Sequence, residues 1–136
     1  MNEIMVPVSP GELLDKITIL RIKSRRMADP NKLANVRREL EALEETWRSS
    51  PYAAVDIEDD LRALLEVNER LWTIEDDIRD KERAVAFDAD FIRLARAVYM
   101  ENDERAAIKK RLNLKLGSTL VEEKSYAEYK SRDLRP

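Results

Sequence analysis

The chain contains no cysteine and no histidine, and only 2 of its 136 residues are glycine. Without cysteine there is no disulfide, no thiolate nucleophile and no thiolate metal site. Without histidine the usual general base of a catalytic triad is missing, and so is the commonest zinc ligand. The two glycines, Gly11 and Gly117, are too far apart to build a phosphate-binding loop of the Walker or dinucleotide type. No apolar run approaches the ~20 residues that span a membrane as a helix. The opening residues Met1-Asn2-Glu3-Ile4-Met5-Val6 lack the basic segment that begins a secretory signal. Together these absences predict a cytoplasmic protein with no membrane association, no metal and no cofactor.

What is present is charge, arranged with helical periodicity. Charged residues make up 39% of the chain and apolar residues 43%, which is enough to form one core under a polar surface. Lys and Arg number 25 against 28 Asp and Glu, a net charge of -3 that argues against nucleic acid and anionic membranes as partners. The basic run Arg21, Lys23, Arg25, Arg26 winds around a helix instead of lining one face, which also disfavours nucleic acid.

Prolines and caps divide the single expected domain, residues 1–136. Residues 1–8 read as an extended arm, because Pro7 interrupts the alternation Ile4, Val6, Val8. A first helix is expected over 9–28. Ser9-Pro10-Gly11-Glu12 forms a capping box, and Val8 and Leu13 have staple spacing. Its apolar row is Leu13, Ile17, Leu20, Met27, flanked by Ile19 and Ile22, so it should be central. A second helix, 29–48, is capped by Asp29 and carries Leu33, Val36, Leu40, Leu43 and Trp47 at alternating three- and four-residue spacing. A third, 56–86, has the seam Ile57, Leu61, Leu64, Asn68, Leu71, Glu75, Ile78, Glu82, Val85. A fourth, 88–116, is capped by Asp88, with a staple from Phe87 to Ile92, and ends at Gly117. Residues 117–136 have weak periodicity and read as a docked arm or tail.

Short links between helices imply antiparallel neighbours, so the predicted class is all-α, an up-down bundle of about four helices with coiled-coil-like seams. The third and fourth helices outrun the first two by about 13 Å. Part of their hairpin therefore lacks a partner, either around Val85, Phe91 and Ala95 or around Leu112 and Leu116. A homodimer is the expected cover.

Charges inside the seams are the unusual feature. Asn68, Glu75 and Glu82 recur every seven residues in the third helix, and Asn102, Arg105 and Lys109 lie in the seam of the fourth. Glu12, Lys16 and Lys23 form a row on the first. A turn at Phe87-Asp88 would set Glu75 opposite Asn102 and Asn68 opposite Lys109, with Arg105 near Leu71. Buried charges cost several kcal/mol each unless paired, so the stripe needs a reason. It could consist of ion pairs that fix register. It could instead be a pocket between the first, third and fourth helices for a small anionic ligand. In that pocket Arg105, Lys109, Lys16 and Lys23 would grip the anion, Glu75 or Glu82 would serve as hydrogen-bond acceptor or acid–base group, and Asn68 and Asn102 would orient. The acidic cluster Glu75, Asp76, Asp77, Asp80 could attract Mg²⁺ but reads better as a solvated face.

Four segments carry a resemblance: residues 7–20 (Pro7-Val8-Ser9-Pro10-Gly11-Glu12-Leu13-Leu14-Asp15-Lys16-Ile17-Thr18-Ile19-Leu20), 71–79 (Leu71-Trp72-Thr73-Ile74-Glu75-Asp76-Asp77-Ile78-Arg79), 102–109 (Asn102-Asp103-Glu104-Arg105-Ala106-Ala107-Ile108-Lys109) and 121–126 (Val121-Glu122-Glu123-Lys124-Ser125-Tyr126). They resemble an uncharacterised family of small bacterial all-helical proteins, which implies the helical fold and carries no activity with it. At the level of fold alone the chain is similar to all-helical chorismate mutase, a long-helix bundle that grips a dianion with Arg and Lys without Cys or His. The functions that fit are a helical binding module for an anionic ligand or a protein partner, a small enzyme acting on an anionic metabolite (chorismate-mutase-like or Mg²⁺-dependent), or a purely structural dimeric bundle.

Overall fold

A computed structural model describes residues 2–129; the last expected tail residues, 130–136, lie outside them. Four α-helices form: α1 Pro10–Arg26, α2 Pro30–Arg48, α3 Glu58–Arg83 and α4 Ala89–Lys115, with a 3-10 turn at Pro51–Ala54. Among the described residues there is no strand, and the all-helical bundle read from the sequence is the fold.

Local chemistry starts α1, α2 and α4 where the sequence marks them, while α3 begins at Glu58, two residues later than expected, with no side-chain cap on its N-cap residue Ile57. The Ser9 hydroxyl accepts the Glu12 amide at 3.1 Å, the Asp29 carboxylate accepts the Asn31 amide at 2.9 Å, and Asp88 accepts the Phe91 amide at 3.0 Å. Two local expectations fail. The Glu12 carboxylate does not reach back to close a capping box, because Lys109 on α4 engages it at 2.6 Å. Phe87 and Ile92 do not form a staple: both are more than half exposed, and Phe87 instead meets Phe91 edge-on at 5.1 Å.

α1 is central. α2 packs on one side of it, and the α3–α4 hairpin packs on the other. Burial on both sides explains why Leu14, Ile17, Leu20 and Ile22 are all buried, while Leu13 and Met27 from the expected row are only half-buried. The α2 row from Leu33 to Trp47 is half-buried along its whole length, because among the described residues α2 packs mainly on α1. The main core joins Leu14 to Ile57, Leu64, Val67, Ile108, Leu112 and Leu116. The segment after α4 lies beside that helix as an irregular chain, anchored by the Tyr129 ring on Tyr99 at 4.9 Å.

Both hairpin helices end in the same C-terminal motif. At α4 the Ser118 amide reaches the Asn113 carbonyl at 2.9 Å, with Gly117 at φ 69°. At α3 the Ala86 amide reaches the Lys81 carbonyl at 2.9 Å, and the left-handed position is filled by Val85 at φ 53°. A β-branched residue is strained there. Val85→Gly is expected to raise stability by about 1 kcal/mol, net of the extra freedom of the unfolded glycine, as read by urea denaturation. No change, or a loss, would show the strain to be absent.

Because α3 stops at Arg83, the turn comes earlier than Phe87-Asp88, and the register of the hairpin shifts. Arg70 pairs with Glu101 at 2.9 Å and Asp60 with Arg111 at 2.9 Å. On that register Glu75 stands level with Arg96, about a helical turn and a half from Asn102, so the expected facing of Glu75 and Asn102 is corrected.

Candidate functional site

The polar stripe resolves into one cluster where α1 crosses α4. At its centre is Asp15, fully buried on α1. Arg105 on α4 approaches it in bidentate fashion, with Nε 3.0 Å from Oδ1 and the terminal nitrogen 2.5 Å from Oδ2. Asn68 on α3 donates to Asp15 Oδ1 at 2.9 Å and to the Thr18 hydroxyl at 2.9 Å. Lys109, one turn along α4 from Arg105, holds Glu12 at 2.6 Å and lies 3.8 Å from Asp15. Its third partner is Glu122, in the segment after α4, at 3.0 Å. Among the described residues no buried side-chain nitrogen or oxygen lacks a partner. The high desolvation cost of these charges is thus offset by a complete network.

Gly11 allows the close crossing. Its amide donates to the side chain of buried Asn113 at 2.7 Å, which satisfies one of the free N–H groups at the start of α1. A Cβ at Gly11 would lie 2.7 Å from the Lys109 carbonyl oxygen and 2.9 Å from Asn113 Oδ1.

Burial works against the charge on Lys109, but the hydrogen bonds it donates to Glu12 and Glu122 and the field of Asp15 outweigh it, and the pKa is raised. The Asp15 hydrogen bond likewise raises that of Arg105, against its burial. Stability from the lysine is therefore fully present below its unfolded value of about 10.4 and is lost only as pH climbs through the higher folded value. Arg105 and Lys109 thus supply fixed positive charge to the site.

Neighbouring hollows with shared walls open between α4 and the segment after it, and two of them reach the cluster or flank it. The smaller, about 90 Å³, is lined by Asn102, Arg105, Ala106, Lys109, Glu122 and Lys124. The larger, about 560 Å³, shares Asn102, Glu122 and Lys124 with it and adds Val98, Tyr99 and Tyr126 among its walls.

Of the residues singled out by periodicity, Glu12, Asn68, Asn102, Arg105 and Lys109 come together. Lys16 is exposed and Lys23 half-buried, neither within ion-pair distance of a cluster carboxylate. Glu75 is exposed and paired with Arg79 on its own helix, and Glu82 is exposed. Glu75 and Glu82 do not join the cluster, because the hairpin is buried around Leu64, Val67, Asn68, Ile108 and Leu112, toward its open end; Lys16 lies on an exposed face of α1, and Lys23 lies two turns along α1 from Asp15. Asp76, Asp77 and Asp80 are exposed, and among the described residues no three carboxylates converge to hold a metal ion. Nor is any helix there long and apolar enough to cross a membrane.

The periodicity argument missed Asp15, Thr18, Asn113, Glu122 and Lys124. A signal existed for α1: Gly11, Asp15, Thr18 and Ile22 form a continuous helical stripe of small, polar and apolar residues beside the apolar row. Glu122 and Lys124 fall in the segment 121–126 that carries the family resemblance; no periodicity marks them, and they act through the return of the chain.

Comparison with known proteins gives one family. A model of a family of unknown function, DUF6165, matches residues 4–133. No curated protein and no solved structure matches the chain.

Proposed function

Since the chain belongs to that family of unknown function, we propose from its geometry that it is a helical binding module whose seat for a small anion is formed by Asn102, Arg105, Lys109 and Lys124. One observation carries this reading. The Glu122 carboxylate, brought in by an irregular segment, already rests 3.0 Å from Lys109 at the edge of a hollow lined by three cations. A site that accepts one carboxylate through a side chain can accept another from solution. Both Lys109 and Arg105 are held charged by their partners on α1, so the seat needs no proton uptake to bind.

The reading is tested by thermal shift and calorimetry with simple carboxylates and inorganic phosphate at pH 7. A ligand at about 100 times its Kd stabilises by roughly 2.7 kcal/mol. Lys124→Ala is the variant of choice. Lys124 lies at the hollow, and among the described residues its one ion pair is a long one to Asp103 at 3.9 Å. It should weaken anion binding about fivefold with little change in melting temperature. Absence of binding by any anion, or equal affinity in the variant, sinks the reading.

A second observation favours self-association. Val85, Phe87 and Ile92 at the closed end of the hairpin are exposed, as are Ile4, Met5 and Val6 of the arm. We infer a homodimer that covers the hairpin tip. Light scattering at tens of micromolar should give the dimer mass, and Phe87→Glu with Ile92→Glu should halve it. A monomeric wild-type chain would discard the idea.

A further inference from the structure

The occupant of the seat and the charges around it define the class of ligand. Arg105 is matched by Asp15, Lys109 by Glu12, and Lys124 by Asp103 at 3.9 Å. Glu122 then remains as one surplus negative charge, drawn to the same Lys109. The seat therefore holds the charge of a single carboxylate. A phosphate dianion in its place would put a further negative charge beside Glu12, Asp15 and Asp103, and unlike charges are not available to balance it.

Glu122 is also the occupant most easily moved. Its side chain is half exposed, while that of Lys109 is nine-tenths buried. The Glu122 carboxylate makes one hydrogen bond, at 3.0 Å, and the chain around it has no helical or strand hydrogen bonds. Swinging it out leaves the shorter Glu12 contact at 2.6 Å in place and exposes one donor direction of the Lys109 ammonium. Lys109 lines the smaller hollow, about 90 Å³; across the shared residues Asn102, Glu122 and Lys124 lies the larger one, about 560 Å³, whose walls include Val98, Tyr99 and Tyr126 together with Asp103 and Glu123. A carboxylate entering the seat would extend its body toward Tyr99 and Tyr126, where ring stacking adds to the ion pair, while Asp103 and Glu123 on the same walls disfavour a second negative charge.

Resting on the anion-seat reading above, we propose that the seat is selective for singly charged carboxylates bearing an apolar or aromatic body, and that Glu122 is a built-in occupant with which they exchange. The segment after α4 thereby sets the threshold for binding: the ligand must compete with a tethered carboxylate of the same charge.

The test titrates benzoate, acetate and inorganic phosphate into the wild-type chain, Glu122→Gln and Lys124→Ala by calorimetry at pH 7, with melting temperatures as the check on folding. Benzoate should bind more tightly than acetate, and phosphate most weakly. Glu122→Gln should raise the benzoate affinity about tenfold, because the competing charge is gone while the donor stays. Equal benzoate affinity in wild type and Glu122→Gln overturns the exchange. Phosphate binding more tightly than benzoate to wild type overturns the carboxylate selectivity. If Lys124→Ala weakens binding while Glu122→Gln does nothing, the seat stands and the built-in occupant falls. If no anion binds any of the three proteins, the seat itself falls.

Discussion

Replacing Asp15 by alanine is expected to destabilise the fold by about 3–5 kcal/mol, a fall in melting temperature of roughly 10–20 °C. The carboxylate is fully buried and serves Arg105, Asn68 and, at longer range, Lys109. Its removal leaves a guanidinium partly withdrawn from water without its partner, and an amide with only Thr18 to donate to. The penalty is the uncompensated charge, not the lost attraction alone. Asp15→Asn keeps the shape and the Asn68 contact, so it separates charge from packing: most of the loss should persist. A double-mutant cycle of Asp15→Ala with Arg105→Ala should be strongly non-additive, since either change alone strands the other side chain. Urea denaturation reads all three, and a cost below 1 kcal/mol for Asp15→Ala would contradict the burial and pairing described.

Gly11→Ala should cost about 2–4 kcal/mol, the opposite sign from the gain that alanine brings in an open helix. The added methyl would lie 2.7 Å from a backbone oxygen of α4, which cannot swing aside as a side chain can. Either α1 lifts away from α4, or Asn113 turns out and abandons the Gly11 amide in a buried place. The same shift would move Lys109 relative to Glu12, so anion affinity should fall along with stability. Gly117→Ala is the control. Nothing surrounds that position, and only its φ of 69° opposes a side chain; the cost there should be about 1 kcal/mol, with anion binding unchanged. If the two glycine variants lose the same amount, the close approach at Gly11 carries no special energy.

The local signals were legible because they depend on a few neighbouring residues. Ser9, Asp29 and Asp88 cap the helices they precede, and Gly117 takes the left-handed turn after α4. The α2 row is half-buried from Leu33 to Trp47, because a regular three-four spacing can turn only one stripe of a helix toward a neighbour. The site was legible in part. Arg105, Lys109 and Asn68 were visible as polar residues inside seams, where their desolvation cost calls for partners. Which residues they pair with was not visible, even for Glu12, which stood out in its own row, because Asp15, Glu12 and Glu122 lie 90, 97 and 13 residues away from the α4 cations they meet.

By itself the sequence determined the four helices, the side-chain caps of three of them and the all-helical class, since hydrogen-bonded turns and apolar periodicity are short-range. Only the tertiary structure decided which seam positions are core. The heptad that places Asn68, Glu75 and Glu82 in one row is the same along α3, yet Asn68 is buried while Glu75 and Glu82 face solvent. The 17-residue α1 is too short to cover a 26-residue helix, so the distal part of that row has only α4 beside it. Periodicity fixes the direction in which a side chain points along its helix; whether that direction meets protein or water depends on where another helix ends.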